Sequence, residues 1–291
     1  MTAHGLINTT EMYLKAAYEL EEDGVVARRA RIADRLGQSA PTVSQTVARL
    51  ERDGLLELDA DRQLALSPEG RRLAVRVMAK HRLAEVLLYQ VIGLEWEELH
   101  VEACRWEHVM SAAVARRIFE VCGGPRQCPH GTPIPGLAEF GIAAAPAPVP
   151  RGTRTLTEAV RAGRRSARLY RISERIQDDV GFLRELRDAG VLPGTEVRLA
   201  EEADRGVRVA GSAGSVVLDE RRASMVVVCG NPVEPADAGV VRYPGGRVGT
   251  EERGTAGDSP GTAGCSRAPS RADRAAAAGG CVGFRVDRPV R

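Results

Sequence analysis

The sequence of 291 residues has few aromatic side chains, no CxxC motif and no long uncharged apolar run. Phe, Trp and Tyr together make up 4% of the chain, so aliphatic residues must fill most of any core. No apolar run reaches the roughly 18 uncharged residues that a membrane-spanning helix needs, which argues against a membrane protein. The first residues lack a basic start followed by an apolar core, so we expect no secretory signal.

Cysteine and lysine usage exclude little else. The chain has six cysteines, but it is too long to depend on disulfides for its fold. We therefore expect free cysteines, as in proteins of a reducing cytoplasm. Only Lys15 and Lys80 are lysines among the 41 basic residues. The net charge of +2 neither requires nor excludes nucleic acid as a partner.

Composition divides the chain into five predicted regions. Residues 1–66 alternate short helical patterns with turns, and residues 67–140 are helical over most of their length. The stretch 141–155 is rich in proline and typical of a stiff linker. Residues 156–230 hold short β-branched runs around one helix, whereas 231–291 have few large apolar residues, which predicts a disordered tail.

The first region has the order of elements of a winged helix. We expect its first helix to begin at a cap formed by Thr9 or Thr10. The third helical segment, 39–50, places valine and leucine on one face and short polar or basic side chains on the others. Two apolar runs around 59–62 then predict a hairpin, the wing. The alternative is a module of similar layout that contacts another protein; we favour DNA.

The third helix suits the major groove of DNA, which admits one helix. Gln45 can form paired hydrogen bonds with a base edge, and Thr42 and Ser44 can reach phosphates or thymine methyl groups. Arginines can neutralise phosphates, although each alone is more often an ordinary surface charge. The predicted DNA-binding residues are Arg29, Arg31, Ser39, Pro41, Thr42, Ser44, Gln45 and Arg49.

Three of the five histidines lie within residues 81–108 and share helical faces with other metal-ligand side chains. A buried stripe of histidine, cysteine and glutamate is costly unless something pairs with it, and a divalent transition metal does so. One group on a single helical face is Cys104, Glu107 and His108; the other, His81, Glu85 and His100, forms if two helices pack side by side. The alternative is a partly exposed polar face with a packed cysteine.

A third possible group lies just before the proline-rich stretch. Cys128 and His130 are two residues apart, and Cys122 is nearby. The sequence offers no fourth ligand, so coincidence is the simpler interpretation, and whether these residues bind anything stays open.

Long motifs in the chain resemble the diphtheria toxin repressor family of iron-dependent regulators. The resemblance runs from about residue 5 to 230 and leaves out the tail. The motifs that carry it are TTEMYL at 9–14, QSAPTVSQTVAR at 38–49, KHRLAE at 80–85, EACRWEHVM at 102–110 and PIPGL at 133–137.

The resemblance implies a mainly α-helical fold with a small β-barrel: a winged helix-turn-helix domain, a helical dimerisation and metal domain, and a C-terminal SH3-like domain. It implies a homodimer that binds a palindrome-like double-stranded DNA operator and no membrane. The implied cofactor is Fe2+, for which Co2+, Ni2+, Mn2+ or Zn2+ can substitute. By motif, the primary metal site is Met12, Cys104, Glu107 and His108, and the ancillary site is His81, Glu85, His100, Glu174 and Gln177.

The sequence therefore predicts a metal-activated transcriptional repressor that controls iron homeostasis genes. One alternative is a manganese-responsive regulator of the same fold, against which the pair of Met12 and Cys104 argues. Another is a metal buffer or assembly protein that does not respond to DNA. Catalysis by Cys104 and His108 is disfavoured, because no glycine-rich oxyanion turn adjoins them and no HExxH motif occurs.

The helical domain also offers apolar residues for pairing two subunits. For each of them alone, packing within one chain is an equally good interpretation. The candidates for the dimer interface are Leu83, Val86, Leu87, Val91 and Ile92.

Overall fold

The computed structural model describes residues 8–230, which belong to one compact unit. The tail predicted for 231–291 lies outside the described residues. No helix of the described part is long and apolar enough to cross a membrane.

The N-terminal part folds as three helices followed by a hairpin, as predicted. Its elements are α1 (Thr9–Glu22), α2 (Arg29–Leu36), α3 (Ala40–Arg52), β1 (Leu56–Leu58) and β2 (Leu64–Leu66). The strands pair antiparallel, with Leu56 opposite Leu66. The cap of α1 is Asn8 rather than Thr9 or Thr10, because the Asn8 side chain accepts hydrogen bonds from the first backbone amides of the helix.

A small aliphatic core holds these elements together. Leu14 and Leu20 of α1 pack with residues of the other two helices and the hairpin, and all are almost completely buried. The helix α3 contributes Val43, Val47 and Leu50 to this core, which fixes the face that it turns to solvent.

The helical region is built around one long helix. Its elements are α4 (Pro68–Leu87), a π-helical turn (Leu88–Ile92), a 3-10 turn (Trp96–Glu98), α5 (Leu99–Trp106), α6 (Ala112–Val121) and a 3-10 turn (Leu137–Phe140). The Ser67 side chain caps α4, which packs against α1, α5 and α6. The proline-rich stretch that follows has no helix or strand before Arg154.

The C-terminal part is an antiparallel sheet with short helices. Its elements are β3 (Arg154–Thr155), α7 (Leu156–Arg161), β4 (Ser166–Ile172), a 3-10 turn (Glu174–Ile176), α8 (Val180–Asp188), β5 (Glu196–Glu201), a 3-10 turn (Ala203–Arg205), β6 (Val207–Ala210), β7 (Ser215–Leu218), α9 (Glu220–Ala223) and β8 (Val226–Cys229). The strand order is β3-β8-β4-β5-β6-β7. The two edge strands do not pair within residues 8–230, so the sheet is open, in contrast to the predicted barrel.

Ion pairs attach this sheet to the rest of the molecule. Arg171 at the end of β4 lies 2.9 Å from Asp23, which directly follows α1. Arg187 of α8 lies 2.6 Å from Glu97, a carboxylate that is almost fully buried beside α5. These contacts bring the 3-10 turn at Glu174–Ile176 against the helices that carry the predicted metal ligands.

Candidate metal centre and nucleic-acid interface

The outer face of α3 carries the predicted base-contacting side chains. Thr42, Ser44 and Gln45 are exposed, whereas their neighbour Val43 is buried. Ser39 caps the helix, and its hydroxyl lies 2.8 Å from the Thr42 hydroxyl. The exposed Pro41 lies in the first turn, where its missing N–H costs nothing. The surface is therefore polar, uncharged at its centre and free for a partner.

The three predicted arginines differ in how available they are. Arg31 is exposed and donates to the Val26 carbonyl at 2.5 Å. Arg49 is exposed but lies 3.3 Å from the Thr10 hydroxyl of α1. Arg29 is half-buried, and its Nε is buried without a hydrogen-bond partner. Arg31 and Arg49 are therefore more accessible to a phosphate than Arg29.

The ligand side chains of α4 and α5 meet at the packed face of the two helices. His81 and Glu85 are fully buried, as the spacing of four residues predicts, and so is His100. His81 Nε2 lies 3.2 Å from Glu85 Oε1 and 3.1 Å from His100 Nδ1. Three of the five predicted ancillary residues are thus in direct contact.

The second nitrogen of His81 joins this group to the predicted primary site. His81 Nδ1 lies 2.6 Å from Glu107 Oε2 and 3.9 Å from Cys104 Sγ, which is also 3.5 Å from His100 Nε2. One ligand atom each from His81, His100 and Cys104 lie within 4.8 Å of one another. The sequence divided these residues into two sites, whereas the structure places them in one continuous cluster.

A lysine of α1, which sequence reasoning missed, reaches into the cluster. Lys15 is almost fully buried. Its ammonium donates to Glu107 Oε2 at 2.7 Å and lies 3.1 Å from His81 Nδ1 and 3.5 Å from Cys104 Sγ. We call Lys15, His81, Cys104 and Glu107 the lysine-paired group. A helix of the N-terminal domain thus contributes a cation to ligands carried by α4 and α5.

The predicted ligands Met12 and His108 lie at the edge of this group. His108 Nδ1 is 2.7 Å from Glu11 of α1, and its Nε2 is 3.2 Å from Glu107 Oε1. Met12 follows Glu11 on α1 and is half-buried. Hydrogen bonds and ion pairs connect α1 to α5 through Glu11 and Lys15, while the role of Met12 as a ligand stays a prediction.

The anionic members of the group are held in their charged forms. Burial alone would raise the pKa of Cys104, but Lys15, His100 and His81 lower it well below its ordinary value. Burial likewise opposes the ionisation of Glu107, but Lys15 and His81 lower its pKa to about 2. A thiolate and a carboxylate in one buried group are the donor forms that a divalent metal needs.

The histidines are held in the opposite form. Burial would lower the pKa of His100, but Cys104 and the hydrogen bond that His100 donates to Asp178 raise it to about 9. Burial and Lys15 lower the pKa of His81, yet Glu85 and Cys104 outweigh them and leave it well above its usual value. Because an imidazole binds metal in its neutral form, metal uptake releases these protons. The donor set therefore fits a divalent ion that replaces protons and an ammonium.

The predicted ligands from the sheet domain are buried nearby with free acceptor atoms. Glu174 Oε1 accepts from Arg82 Nε at 2.7 Å, while its Oε2 has no partner. Gln177 donates to the Ile172 carbonyl at 2.8 Å, and its Oε1 also has no partner. An unpartnered buried oxygen costs about 1–3 kcal/mol, which a ligand contact would offset.

Asp178 lies two residues after the 3-10 turn Glu174–Ile176 and contacts the histidine cluster. The sequence did not single it out. Asp178 Oδ1 lies 3.3 Å from His100 Nε2, and its Oδ2 accepts from Arg35 Nη1 at 2.6 Å. Arg35 Nε also donates to Glu19 at 2.6 Å, and Glu19 lies 3.9 Å from the Lys15 ammonium. A chain of ion pairs thus connects the cluster to the last turn of α2.

The structure also brings together a second group of possible ligands. One ligand atom each from Glu85, Cys128 and His130 lie within 4.8 Å of one another, and all three residues are buried. We call these three residues the Glu85 group. Cys122 is half-buried at the end of α6 and is not part of it.

The candidate residues for a dimer interface separate into two sets. Leu83 and Val86 are fully buried within the chain, which removes them from any interface. Val91 and Ile92 are more than half exposed, and other valines of the helical region are about half exposed or more. Leu87 is half-buried and belongs to neither set. The exposed valines of this region are Val91, Val109, Val114 and Val121.

Models of two protein domains match the chain. One is described as iron dependent repressor, N-terminal DNA binding domain, and matches residues 5–64. The other is described as iron dependent repressor, metal binding and dimerisation domain, and matches residues 67–136.

Proteins with similar sequences are named as repressors, in agreement with the domain descriptions. The chain is 50% identical over 204 residues to the iron-dependent repressor IdeR of Mycobacterium tuberculosis, covering 70% of this chain and 89% of that protein. It is 51% identical over 196 residues to the diphtheria toxin repressor of Corynebacterium diphtheriae, covering 67% and 86% of the two chains.

Solved structures agree in fold over the same region. A manganese-dependent transcriptional repressor in complex with manganese has a TM-score of 0.63 and 29% identity, over 77% of this chain and all of the other. The crystal structure of T. acidophilum IdeR has a TM-score of 0.61 and 28% identity, over 77% and 99% of the two chains.

Proposed function

The chain belongs to the family of iron-dependent repressors, and from this premise we propose that Fe2+ bound at the buried ligand cluster activates it to bind operator DNA. It acts as a DNA-binding transcriptional repressor that requires a metal and works as a homodimer. The resemblance predicted from the sequence motifs is confirmed. We propose that the regulated genes belong to iron homeostasis, as the names of the relatives suggest.

The observation that carries this proposal is the position of Lys15. Its ammonium, from a helix of the DNA-binding domain, lies against Cys104 and Glu107 of the metal and dimerisation domain. An ion that takes these ligands replaces that ammonium, because both are cations that neutralise the same anions. Lys15 must then move, and α1 moves with it or rotates its side chains. Metal occupancy is in this way linked to the position of the DNA-binding domain.

The contacts of α1 extend this link toward the DNA surface. Lys15 lies one helical turn before Glu19, and Glu19 is paired with Arg35 in the last turn of α2. Because α2 packs directly on the recognition helix α3, a change at Lys15 reaches the face that carries Gln45. Such linkage is reciprocal, so DNA must raise the affinity for metal by the same factor. A coupling of about 3 kcal/mol corresponds to roughly 150-fold.

We assign the ligands in two sets, as the motifs suggest. The regulatory set is Met12, Cys104, Glu107 and His108, and the second set is His81, Glu85, His100, Glu174 and Gln177. Six of the nine residues are buried, and His81 contacts members of both sets, which supports the assignment. When bound, the metal supplies a divalent charge that pairs with thiolate and carboxylate and accepts imidazole nitrogens.

Fe2+ is the cofactor, and Co2+, Ni2+, Mn2+ or Zn2+ can substitute. A thioether and a thiolate beside carboxylate and imidazole make a mixed set of soft and hard ligands, which favours iron over a purely oxygen-binding ion such as Mn2+. The relatives named for iron are about 50% identical to the chain. The solved structure named for manganese is 29% identical.

The proposal also covers the domain bounds, the dimer interface and the place where the protein acts. We propose the domain bounds 1–66, 67–140, 141–155 and 156–230, with the open sheet of the last as an SH3-like domain. The exposed Val91 and Ile92 suit the interface of the homodimer. The chain is proposed to act in the cytoplasm, where its operator is, and to have no catalytic activity.

Binding to duplex DNA with and without metal tests the proposed function. The metal-free protein, prepared with a chelator, is mixed with a pool of genomic duplexes, and Fe2+ or Co2+ is then added under reducing conditions. We expect retarded complexes only with metal, and footprints with two-fold symmetric half-sites. Metal binding without any change in DNA binding would instead identify a metal buffer or an assembly protein.

A further inference from the structure

The turn that carries Cys128 and His130 is held rigidly in the interior. The Cys128 amide donates to the Thr132 carbonyl at 2.9 Å, and the Gly131 amide donates to the Cys128 carbonyl at 2.9 Å. The Ile172 amide of β4 donates to the His130 carbonyl at 3.0 Å, which fixes the turn to the sheet. Gly131 has a φ of +88°, and a Cβ there would lie 2.1 Å from the Tyr170 carbonyl oxygen. Only glycine fits this close approach, which fixes the path of the backbone between Cys128 and Thr132.

The side chains of the Glu85 group converge but do not satisfy one another. Glu85 Oε1 lies 3.1 Å from His130 Nδ1, and the ligand atoms of Glu85, Cys128 and His130 all lie within 4.8 Å of one another. Glu85 Oε2 and His130 Nε2 are buried and have no hydrogen-bond partner. Leaving two buried polar atoms unpaired costs about 1–3 kcal/mol each. A buried thiol, imidazole and carboxylate with spare donor capacity therefore point to a missing ligand.

The surroundings exclude water and supply one further acceptor. The Trp96 ring lies 4.9 Å from the His130 ring, and Trp96 Nε1 donates to the Pro129 carbonyl at 3.1 Å, which closes one side. On another side Glu174 is close enough to interact electrostatically with Cys128, and its Oε2 has no partner. Nitrogen, sulfur and carboxylate oxygen are the ligand types that a borderline-soft divalent ion with four ligands takes.

We propose that Glu85, Cys128 and His130 bind a divalent transition-metal ion of the Zn2+ or Co2+ class, at a centre separate from the one that contains Cys104. The ion takes one carboxylate oxygen, the Cys128 sulfur and one imidazole nitrogen, and the thiol proton passes to solvent because thiolate is the ligand form. Glu174 completes the set. Glu85 also lies against His81, so the two oxygens of Glu85 let it bridge this ion and one at His81 and His100.

This site uses two residues of the proposed second metal set, Glu85 and Glu174, but depends on no other part of the proposed function. It gives the chain a ligand set of its own, because the thiolate and imidazole come from the turn after α6 rather than from α4 or α5. An ion here joins α4 to the 3-10 turn of the sheet domain that carries Glu174. It displaces no lysine or arginine of the described residues.

Cobalt titration of a variant that lacks the other thiolate tests the site. The metal-free Cys104→Ala protein, kept reduced and without DNA, is titrated with Co2+, and absorbance from thiolate-to-cobalt charge transfer is followed. We expect this absorbance in Cys104→Ala and in Cys104→Ala/Cys122→Ser, and its loss in Cys104→Ala/Cys128→Ser. Absence of the band in Cys104→Ala, or its persistence in Cys104→Ala/Cys128→Ser, would overturn the proposal.

A second variant guards against loss of folding. Cys104→Ala/His130→Gln keeps the thiolate, and we expect at least tenfold weaker Co2+ binding than in Cys104→Ala, by comparison with the 10- to 100-fold effect of outer-shell changes. Unchanged Co2+ affinity in this variant would also contradict the site, and it decides the question if the Cys128→Ser protein does not fold. Because the titration contains no DNA and no Cys104, its outcome is independent of the regulatory switch.

Discussion

The lysine-paired group and the Glu85 group are both buried clusters of metal-ligand side chains, but only the first contains its own cation. In the lysine-paired group, Lys15 neutralises Glu107 and contacts Cys104, so the anions are paired before any metal binds. In the Glu85 group, two buried atoms have no partner, and no lysine or arginine of the described residues donates to it.

This difference separates a switching site from a structural one. An ion entering the lysine-paired group must displace a side chain of α1, so its binding changes how the DNA-binding domain is held. An ion entering the Glu85 group only fills unpaired positions, so its binding stabilises what is already in place. Two clusters with similar ligands can thus have different consequences, because a protein cation occupies one of them.

Replacing Lys15, the cation of the lysine-paired group, should have the largest effect, because the Glu85 group has no such cation to lose. Lys15→Met removes the buried ammonium that pairs with the Glu107 carboxylate and the Cys104 thiolate and leaves only the histidines beside them. We therefore expect the metal-free protein to lose about 3–5 kcal/mol of unfolding free energy. Added Co2+ should then raise the unfolding temperature more than it does in the unchanged protein. Denaturant and thermal unfolding, with and without Co2+, measure both effects.

Lys80 is the matched control, since it is the only other lysine and forms no ion pair among the described residues. Lys80→Met should change neither quantity by more than about 0.5 kcal/mol. Equal stability of the Lys15→Met and Lys80→Met proteins would show that Lys15 does not neutralise the group.

Removing the thiolate of the lysine-paired group should abolish the switch. For Cys104→Ala we expect metal-dependent DNA affinity to fall by roughly 100-fold, which corresponds to most of a coupling of about 3 kcal/mol. The protein should remain a folded dimer by sedimentation. Cys122→Ala, at a half-buried position outside both groups, should bind DNA normally. Unchanged DNA binding by Cys104→Ala would remove Cys104 from the regulatory site.

Protonation should weaken the chain of ion pairs that connects Lys15 to α2. Burial alone would raise the pKa of Glu19, but Arg35 and Lys15 lower it from 4.5 to about 2. A lowered carboxyl pKa stabilises the fold above the ordinary value and loses this contribution as pH falls from 4.5 to about 2. The free energy of unfolding of the unchanged protein should therefore exceed that of Glu19→Gln by on the order of 2 kcal/mol at pH 6. This difference should become smaller as the pH falls below 4.5.

The pH series has a control in an exposed pair. Glu21 lies 2.5 Å from Arg71, and both side chains are nearly half exposed, so Glu21→Gln should cost less than about 1 kcal/mol at any pH. A gap between Glu19→Gln and the unchanged protein that does not narrow below pH 4.5 would show that the charge of Glu19 contributes nothing.

The smallest effect is expected at the DNA surface, outside both groups. Gln45→Ala should reduce discrimination between operator and unrelated duplexes by about 1 kcal/mol or somewhat more, and leave metal affinity unchanged in the absence of DNA. Competition binding at fixed salt measures this. An equal loss of affinity on every duplex would identify Gln45 as a phosphate contact instead.

Local patterns were sufficient to predict the N-terminal half of the fold. The apolar spacing of 39–50 gave the buried and exposed faces of α3 correctly, because that helix packs on one side only. The strand Ser166–Ile172 was not among the predicted strands, since Arg168 and Arg171 interrupt its apolar residues. The ion pair of Arg171 with Asp23 has no local signal in the sequence. Closure of the sheet into a barrel was expected and is not found within residues 8–230.

The candidate site was predictable only as far as helical spacing reaches. Spacing of four residues placed His81 with Glu85 and His100 with Cys104, and the structure joins these pairs. The positions of Lys15, Asp178 and the turn at Cys128 and His130 depend on how separate elements pack. The sequence shows that Lys15 is one of only two lysines, but its burial depends on how α1 packs against the other helices.

A crystal structure of the Co2+-loaded protein, with an anomalous-difference map at the cobalt absorption edge, tests the link between α1 and α5 most directly. We predict a cobalt peak bound by the Met12 sulfur together with Cys104, Glu107 and His108, and a Lys15 ammonium that has left Glu107. A peak at this site without Met12, or a Lys15 ammonium still in contact with Glu107 in the loaded protein, would contradict the proposed switch.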